Sequence, residues 1–185
     1  MASTAMRRTP RHQLTPEAGA AWDMLDRLTG EPAFIEAMAS APELLDLVMN
    51  QFYGQIFFGG RVEERYKQLL RLRLSLAHGC RSCNLQNVVG TRAAGYSDAQ
   101  IAGIDGERAG FDEAERAVLD FADQMVMTNG AGRLTPELHA RMLKHFDDAQ
   151  ICELAVVAGF IGGMAKMAFV LELVEREEVC PLAPA

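Results

Sequence analysis

Apolar residues recur along this chain at three- and four-residue intervals, and most of the periodic stretches open on a helix-start signal. Thr15-Pro16-Glu17 sets a hydroxyl before a proline at the first helical position, and Thr135-Pro136-Glu137 repeats the arrangement. Ser97-x-x-Gln100, Asp112-x-x-Glu115 and Asp147-x-x-Gln150 read as capping boxes. The pattern predicts helices near 16–28, 32–39, 42–57, 62–78, 81–94, 97–103, 112–127, 135–145 and 148–175, punctuated by Gly59-Gly60, Gly95, Gly110 and Gly130. One stretch points two ways. Leu70-Arg71-Leu72-Arg73-Leu74-Ser75-Leu76 alternates with period two, as a half-buried strand does. Yet Glu63 to Asn87 holds no β-branched residue and is rich in Leu, Arg, Lys, Gln and Ala, which favour helix. On a helix, Leu69, Leu72 and Leu76 line one face, with Leu70, Leu74 and Ala77 on an adjoining one. That is a helix packed on two sides, and with no strand pattern elsewhere the chain reads as all-α.

The most apolar run, Leu154 to Leu173, raises the membrane question by its length. Lys166 and Glu172 interrupt it and Glu153 precedes it, so a core or interface helix is the better reading. Gly159, Gly162 and Gly163 within it each cost a helix about 1 kcal/mol relative to Ala. Close approach of another helix, within the subunit or across an interface, would explain them, and a homo-oligomer is expected.

Residues 1–14 read as a polar, mobile arm and residues 15–185 as one domain, long enough to bury roughly 70% of the surface an unfolded chain exposes. There is no usable internal repeat. A formal charge of −7 argues against a general nucleic-acid binder, which needs a basic surface. The opening MASTAMRRTPRH lacks the apolar stretch of a secretory signal. The expectation is a cytoplasmic protein without membrane or nucleic-acid partners, whose four cysteines sit in a reducing compartment. Core filling accounts for the ten methionines, among them Met125, Met127, Met164 and Met167. Phe52, Phe57, Phe58 and Phe160 are candidates for core packing or for a pocket wall.

Cys80-Arg81-Ser82-Cys83 is the sharpest chemical feature. Cysteines at i and i+3 share a helical face and are near enough for a small disulfide ring. If Gly79 ends one helix and Cys80 starts the next, the helix N-terminus favours thiolate over thiol, and Arg81 adds positive charge. A pair of buried structural cysteines is the plainer alternative. A thioredoxin-type motif would need a neighbouring βαβ pattern, which is missing. His78 is the one histidine near the pair, either a base or a residue at a helix C-terminus. A zinc site using His78, Cys80 and Cys83 with Cys152, Cys180 or His145 is a weaker use of the same atoms; no metal or cofactor is expected. No Gly-rich phosphate fingerprint is present.

The run Gln68-Leu-Leu-Arg-Leu-Arg-Leu-Ser-Leu-Ala-His-Gly-Cys80-Arg-Ser-Cys83-Asn-Leu-Gln-Asn87 resembles the core of the carboxymuconolactone decarboxylase/alkylhydroperoxidase AhpD-like family. Gly95-Tyr-Ser-Asp-Ala-Gln-Ile101 is similar to the helix start that follows in that family. The stretches from Phe111 to Ala122 and from His145 to Leu154 look like its second half. The resemblance covers about Thr15 to Val174. It implies an all-helical domain assembling as a trimer, dimer or hexamer. In redox-active relatives a glutamate and a histidine form a proton relay that activates the second cysteine, and the first then closes the disulfide. Carried over by position, Cys83 is the nucleophile and Cys80 its partner, whereas the helix-terminus argument favours Cys80.

The relay positions hold Gln68 and Asn87. An amide takes no proton at neutral pH, so neither is a general base, though both can hydrogen-bond a thiolate or water. Glu64, one turn before Gln68, is a displaced carboxylate or a solvated surface residue. The resulting expectation is a thiol-dependent oxidoreductase, an alkylhydroperoxidase-like peroxidase or disulfide reductase. Its small-molecule peroxide or disulfide substrate would oxidise the pair, and an external thiol reductant would restore it. The alternatives are a cysteine-independent lactone decarboxylase or isomerase, and a non-catalytic ligand-binding or scaffold protein.

Overall fold

The computed structural model describes residues 6–177. After a short 3₁₀ turn, Arg11–Gln13, come α1 (Pro16–Thr29), α2 (Ala33–Met38) and α3 (Pro42–Asp46). The last runs directly into a π-helical stretch, Leu47–Phe57. Then follow α4 (Glu64–His78), α5 (Arg81–Ala93), α6 (Asp98–Ala102), α7 (Glu113–Gln124), α8 (Pro136–Met142) and α9 (Asp148–Val170). Among the described residues there is no strand, only one isolated bridge between Cys80 and Arg176. The all-α reading holds.

The caps form as the side chains predict. Thr15 and Thr135 each accept a backbone N–H three residues on, ahead of a first-turn proline. All three capping boxes are complete, each satisfying two orphan N–H groups at a helix start. The helix ends differ more. α4 starts at Glu64 rather than near 62, because Glu63 has a non-helical backbone, with ψ 139°. α9 stops at Val170 rather than 175, where the chain turns through Glu172 at φ 52°. The predicted helix over 42–57 is underwound after Asp46 into i→i+5 bonding, which continues as the Phe58 N–H donates to the Tyr53 carbonyl at 2.9 Å.

The ambiguous segment is helix α4, and it packs on two sides. Leu70 and Leu74 enter one core with α7, α8, α9 and the π-helical stretch, while Leu69 and Leu72 enter a second with α5, α6 and α7. All four leucines are fully buried, each contributing roughly 1.5–3 kcal/mol by leaving water. The period-two alternation arose because two apolar faces lie side by side on one helix.

α9 is long and apolar enough to cross a membrane, but one side of it lies in the protein core through Ile151, Leu154, Val157 and Ala158. Buried Glu153 pins its start: its carboxylate accepts from the N–H groups of Arg61 at 2.6 Å and Val62 at 3.1 Å, and from Lys67 Nζ at 3.1 Å. Lys67 also donates to the Ile56 carbonyl at 2.8 Å. Of the three glycines, Gly162 alone meets a neighbour, His78 Cε1 at 3.9 Å from its would-be Cβ; Gly159 and Gly163 face open space.

The described part of the N-terminal arm is docked. Thr9 N–H donates to the Glu36 carbonyl at 2.9 Å, and Arg11 makes a two-pronged pair with Asp23 at 2.7 and 2.6 Å. Residues 1–5 of the arm and Cys180 lie outside the described residues.

Candidate active site

Gly79, at φ 63°, ends α4 in the left-handed conformation that glycine adopts freely, and Cys80 caps α5. The cap is a sulfur: Cys80 Sγ accepts the Cys83 N–H at 3.3 Å. The two cysteines are joined as a disulfide with their Cα atoms 5.2 Å apart. They differ in setting. Cys80 is fully buried, while Cys83 is partly exposed and opens onto a cavity of about 540 Å³.

The burial of Cys80 has a cause far along the chain. Residues 175–177 lie across the turn: the Arg81 N–H donates to the Glu175 carbonyl at 3.1 Å, and the Glu177 N–H to the Gly79 carbonyl at 2.8 Å. A Cβ at position 79 would collide with the Glu177 carbonyl, a second reason for glycine there. Arg81 is held by Glu31 at 2.7 Å and by the Thr29 carbonyl, so α1 braces the motif from the other side.

A third face of α4 floors the cavity. Glu64, Gln68, Arg71, Ser75 and His78 recur at intervals of four and three residues, one polar stripe beside the two leucine faces. From α5 come Ser82, Cys83, Gln86, Asn87 and Gly90; side chains of α1, the π-helical stretch and α9 form largely apolar walls. Phe58 and Phe160 belong to those walls, whereas Phe52 and Phe57 lie in the core, Phe52 stacked on Phe160 at 3.9 Å. Met24, Met49 and Met164 also face the cavity, so part of the methionine set lines a surface rather than filling the core.

Glu64, Gln68, His78, Cys83 and Asn87 line this cavity, and Cys80 lies just behind it. Gln68 is buried and its Nε2 donates to Glu64 Oε1 at 3.0 Å. A carboxylate only accepts, so the amide orientation follows, and Gln68 Oε1 is left buried without a partner among the described residues. Gly90 permits that approach, since a Cβ there would stand 2.6 Å from the amide oxygen. Glu64 is exposed at the cavity edge and accepts the Gln68 hydrogen bond there.

Asn87 is tied at both ends to one residue: its Oδ1 accepts from Arg71 Nε, and its Nδ2 donates to the Arg71 carbonyl at 3.3 Å. His78 is buried, and its Nε2 accepts the Met127 N–H at 3.2 Å. Burial, reinforced by the positive charge of Arg73, lowers the His78 pKa and favours the neutral ring. With Nε2 accepting, the ring proton sits on Nδ1, which is buried and unpartnered among the described residues.

Cys152 lies exposed on α9, and among the described residues no group of three or more His, Cys, Asp or Glu side chains is arranged to hold a metal. Sequence reasoning missed Arg71 and Tyr53. The signal for Arg71 was its place, three after Gln68 and seven before His78 on one helical face.

Residues 42–124 match the model of the carboxymuconolactone decarboxylase family, a segment that carries Gln68, Arg71, both cysteines and Asn87. No curated protein matches the chain. Among solved structures it is similar to a protein of unknown function from Agrobacterium tumefaciens, described as a candidate antioxidant defence protein AhpD. Identity is 26% and the TM-score 0.63, over 77% of this chain and 95% of that one. An uncharacterized peroxidase-related protein from Silicibacter is 17% identical with a TM-score of 0.71, over 96% and 95% of the two chains. Another from Ralstonia eutropha, described as an alkylhydroperoxidase AhpD core, is 14% identical with a TM-score of 0.68, over 95% of each. The last two are likenesses of fold. The family resemblance read from the sequence is borne out.

Proposed function

From a chain whose residues 42–124 carry the carboxymuconolactone decarboxylase family match, we propose a dithiol oxidoreductase of the alkylhydroperoxidase type. The observation that supports this reading is the asymmetry of the cysteine pair, with Cys83 open to a largely apolar cavity and Cys80 buried behind it at a helix N-terminus.

In the reduced protein the Cys83 thiolate attacks the terminal oxygen of an organic hydroperoxide. An S–O bond forms, the O–O bond breaks, and the alkoxide leaves as the alcohol after taking a proton. Cys83 is then a sulfenic acid. The Cys80 thiolate, favoured by the Cys83 N–H and the helix dipole, attacks the Cys83 sulfur. The S–S bond forms, the S–O bond breaks, and hydroxide leaves as water. An external dithiol reduces the disulfide by exchange and is itself oxidised, so one hydroperoxide consumes two thiols. A reducing compartment such as the cytoplasm suits this cycle.

Gln68 and Asn87 act as hydrogen-bonding groups, not as bases. His78 offers an N–H, so it serves as a donor rather than as the substitute base. A general base typically contributes 10²–10⁴-fold, so turnover is slow for this chemistry. The test is hydroperoxide consumption with dithiothreitol by the wild type and by Cys80→Ser/Cys83→Ser. Loss of turnover in the double variant supports the reading. Unchanged activity in that variant rejects it in favour of a cysteine-independent reaction in the same cavity.

A further inference from the structure

Arg71 points its charge into a largely apolar cavity and has no acidic partner among the described residues. Its Nε is taken by Asn87 Oδ1, and its guanidinium carbon stands 5.5 Å from the Tyr53 ring centre and 5.3 Å from that of Phe57. Among the described residues no carboxylate reaches it, and its two terminal nitrogens have no hydrogen-bond partner. The acids on the cavity wall are engaged elsewhere, Glu31 with Arg81 and Glu64 with Gln68. Asn87 and the two rings therefore hold the guanidinium while leaving free the edge that binds a carboxylate in two-pronged fashion.

Two buried atoms of cavity-lining residues lack partners among the described residues. Gln68 Oε1 is a buried acceptor one turn before Arg71, and His78 Nδ1–H is a buried donor two turns after it. At 1.5 Å per residue they lie about 4.5 and 10.5 Å along the helix axis from Arg71. A buried polar group without a partner is costly to the fold. A cation with a free edge, on a polar stripe under apolar walls, constitutes a prepared polar floor. At about 30 Å³ per water-sized group, the 540 Å³ cavity has room for a molecule of roughly 18 non-hydrogen atoms.

We propose that this cavity binds an amphipathic organic acid, with its carboxylate on the free edge of Arg71 and its apolar body against the walls from α1, the π-helical stretch and α9. Asn87 lies one turn beyond Cys83 on α5, so a carboxylate held at Arg71 places the adjoining carbon chain beside the reactive sulfur. The substrate class is then a hydroperoxide that also carries a carboxylate. That last step rests on the dithiol reading; the binding does not.

The test keeps the two apart by using the disulfide form, in which the thiol chemistry is closed. Octanoate and 1-octanol, alike in chain length and different in charge, are titrated calorimetrically into oxidised wild type, Arg71→Gln and Arg71→Lys. The wild type is expected to bind one octanoate per chain at least tenfold more tightly than 1-octanol. Arg71→Gln should bring octanoate down to the level of 1-octanol while leaving 1-octanol unchanged, and Arg71→Lys should keep part of the preference. Retained 1-octanol binding shows that the variant cavity is intact. Equal binding of the two probes by wild type, or an octanoate preference that survives Arg71→Gln, overturns the proposal. If Arg71→Gln does not fold, the wild-type comparison alone decides, because raised salt must erode a preference that is electrostatic. Arg71-dependent octanoate binding in a protein that turns over no hydroperoxide would leave the seat standing and reject the peroxidase reading.

Discussion

Replacing Glu153 by glutamine keeps the shape of a buried side chain and removes its charge. In the native protein the carboxylate collects the Arg61 and Val62 N–H groups and Lys67 Nζ, and Lys67 is itself fully buried. The amide retains one acceptor and turns an N–H toward at least one of those donors. A lost charge-assisted hydrogen bond costs about 1.5–3 kcal/mol, and leaving a buried partner charge uncompensated costs about 3–5 kcal/mol. The surviving acceptor and the Ile56 carbonyl still serve Lys67, so the expected loss for Glu153→Gln is about 3 kcal/mol at pH 7.

That loss should depend on pH with a definite sign. Burial opposes ionisation of Glu153, but the Arg61 and Val62 N–H groups and Lys67 outweigh it and hold the carboxyl below its ordinary value of 4.5. A depressed carboxyl stabilises the fold fully above its unfolded pKa and loses that contribution as pH falls through the folded one. The gap between wild type and variant should therefore be widest near neutrality and close below about pH 4. Urea unfolding followed by circular dichroism at fixed protein concentration measures it. A variant within 0.5 kcal/mol of wild type at pH 7, or a deficit that acid leaves unchanged, would refute the reasoning. Lys67→Met with Glu153→Leu should recover much of the loss, since an apolar pair leaves no orphaned charge.

Gln68→Glu would set a second carboxylate against Glu64, whose Oε1 now lies 3.0 Å from the amide nitrogen. Two such groups resist joint ionisation, so the variant should reduce hydroperoxide about tenfold faster, with a rate that rises with pH as the shared proton leaves. A rate flat between pH 5 and 8 counts against a base at this position. On α9, Cys152, Val156, Gly159, Gly163, Lys166 and Val170 form an exposed seam at intervals of four and three residues. A Cβ at Gly159 or Gly163 meets no neighbour within 4 Å, so Gly159→Leu with Gly163→Leu should preserve the fold yet convert a homo-oligomer to a ~20 kDa species by light scattering; an unchanged oligomer would place the interface elsewhere. Ending the chain after Leu173 removes the backbone bonds from Glu175 and Glu177 over the cysteine turn. Reduced Cys80 should then be alkylated at least tenfold faster by iodoacetamide, and an unchanged rate would show that the strap does not shield it.

Much of this molecule was legible in the order of its residues, because helix capping and helical periodicity are local. The Thr-Pro starts, the three capping boxes and the two leucine faces of α4 involve residues no more than a few turns apart. The same locality brings Cys80 and Cys83 together, since residues three apart meet on any helix turn. By itself the sequence determined an all-helical chain with a close cysteine pair whose relay positions carry amides.

The tertiary structure decided what those residues face. That Arg71 lacks an acid partner while Arg73, two residues on, has Asp105 and Asp123 depends on what α5, α7 and the loops bring near each. The tautomer of His78 follows from a backbone N–H at Met127, and the shielding of Cys80 from carbonyl and amide groups near the C-terminus, contacts 49 and about 95 residues away in sequence. The π winding over 47–57 likewise follows no composition rule in that segment; Lys67, anchored by Glu153 on α9, bonds the carbonyl of Ile56 near its end. A local pattern states which faces a helix has. Only the packed whole states which of them meets a core, which a cavity, and which buried atom is left without a partner.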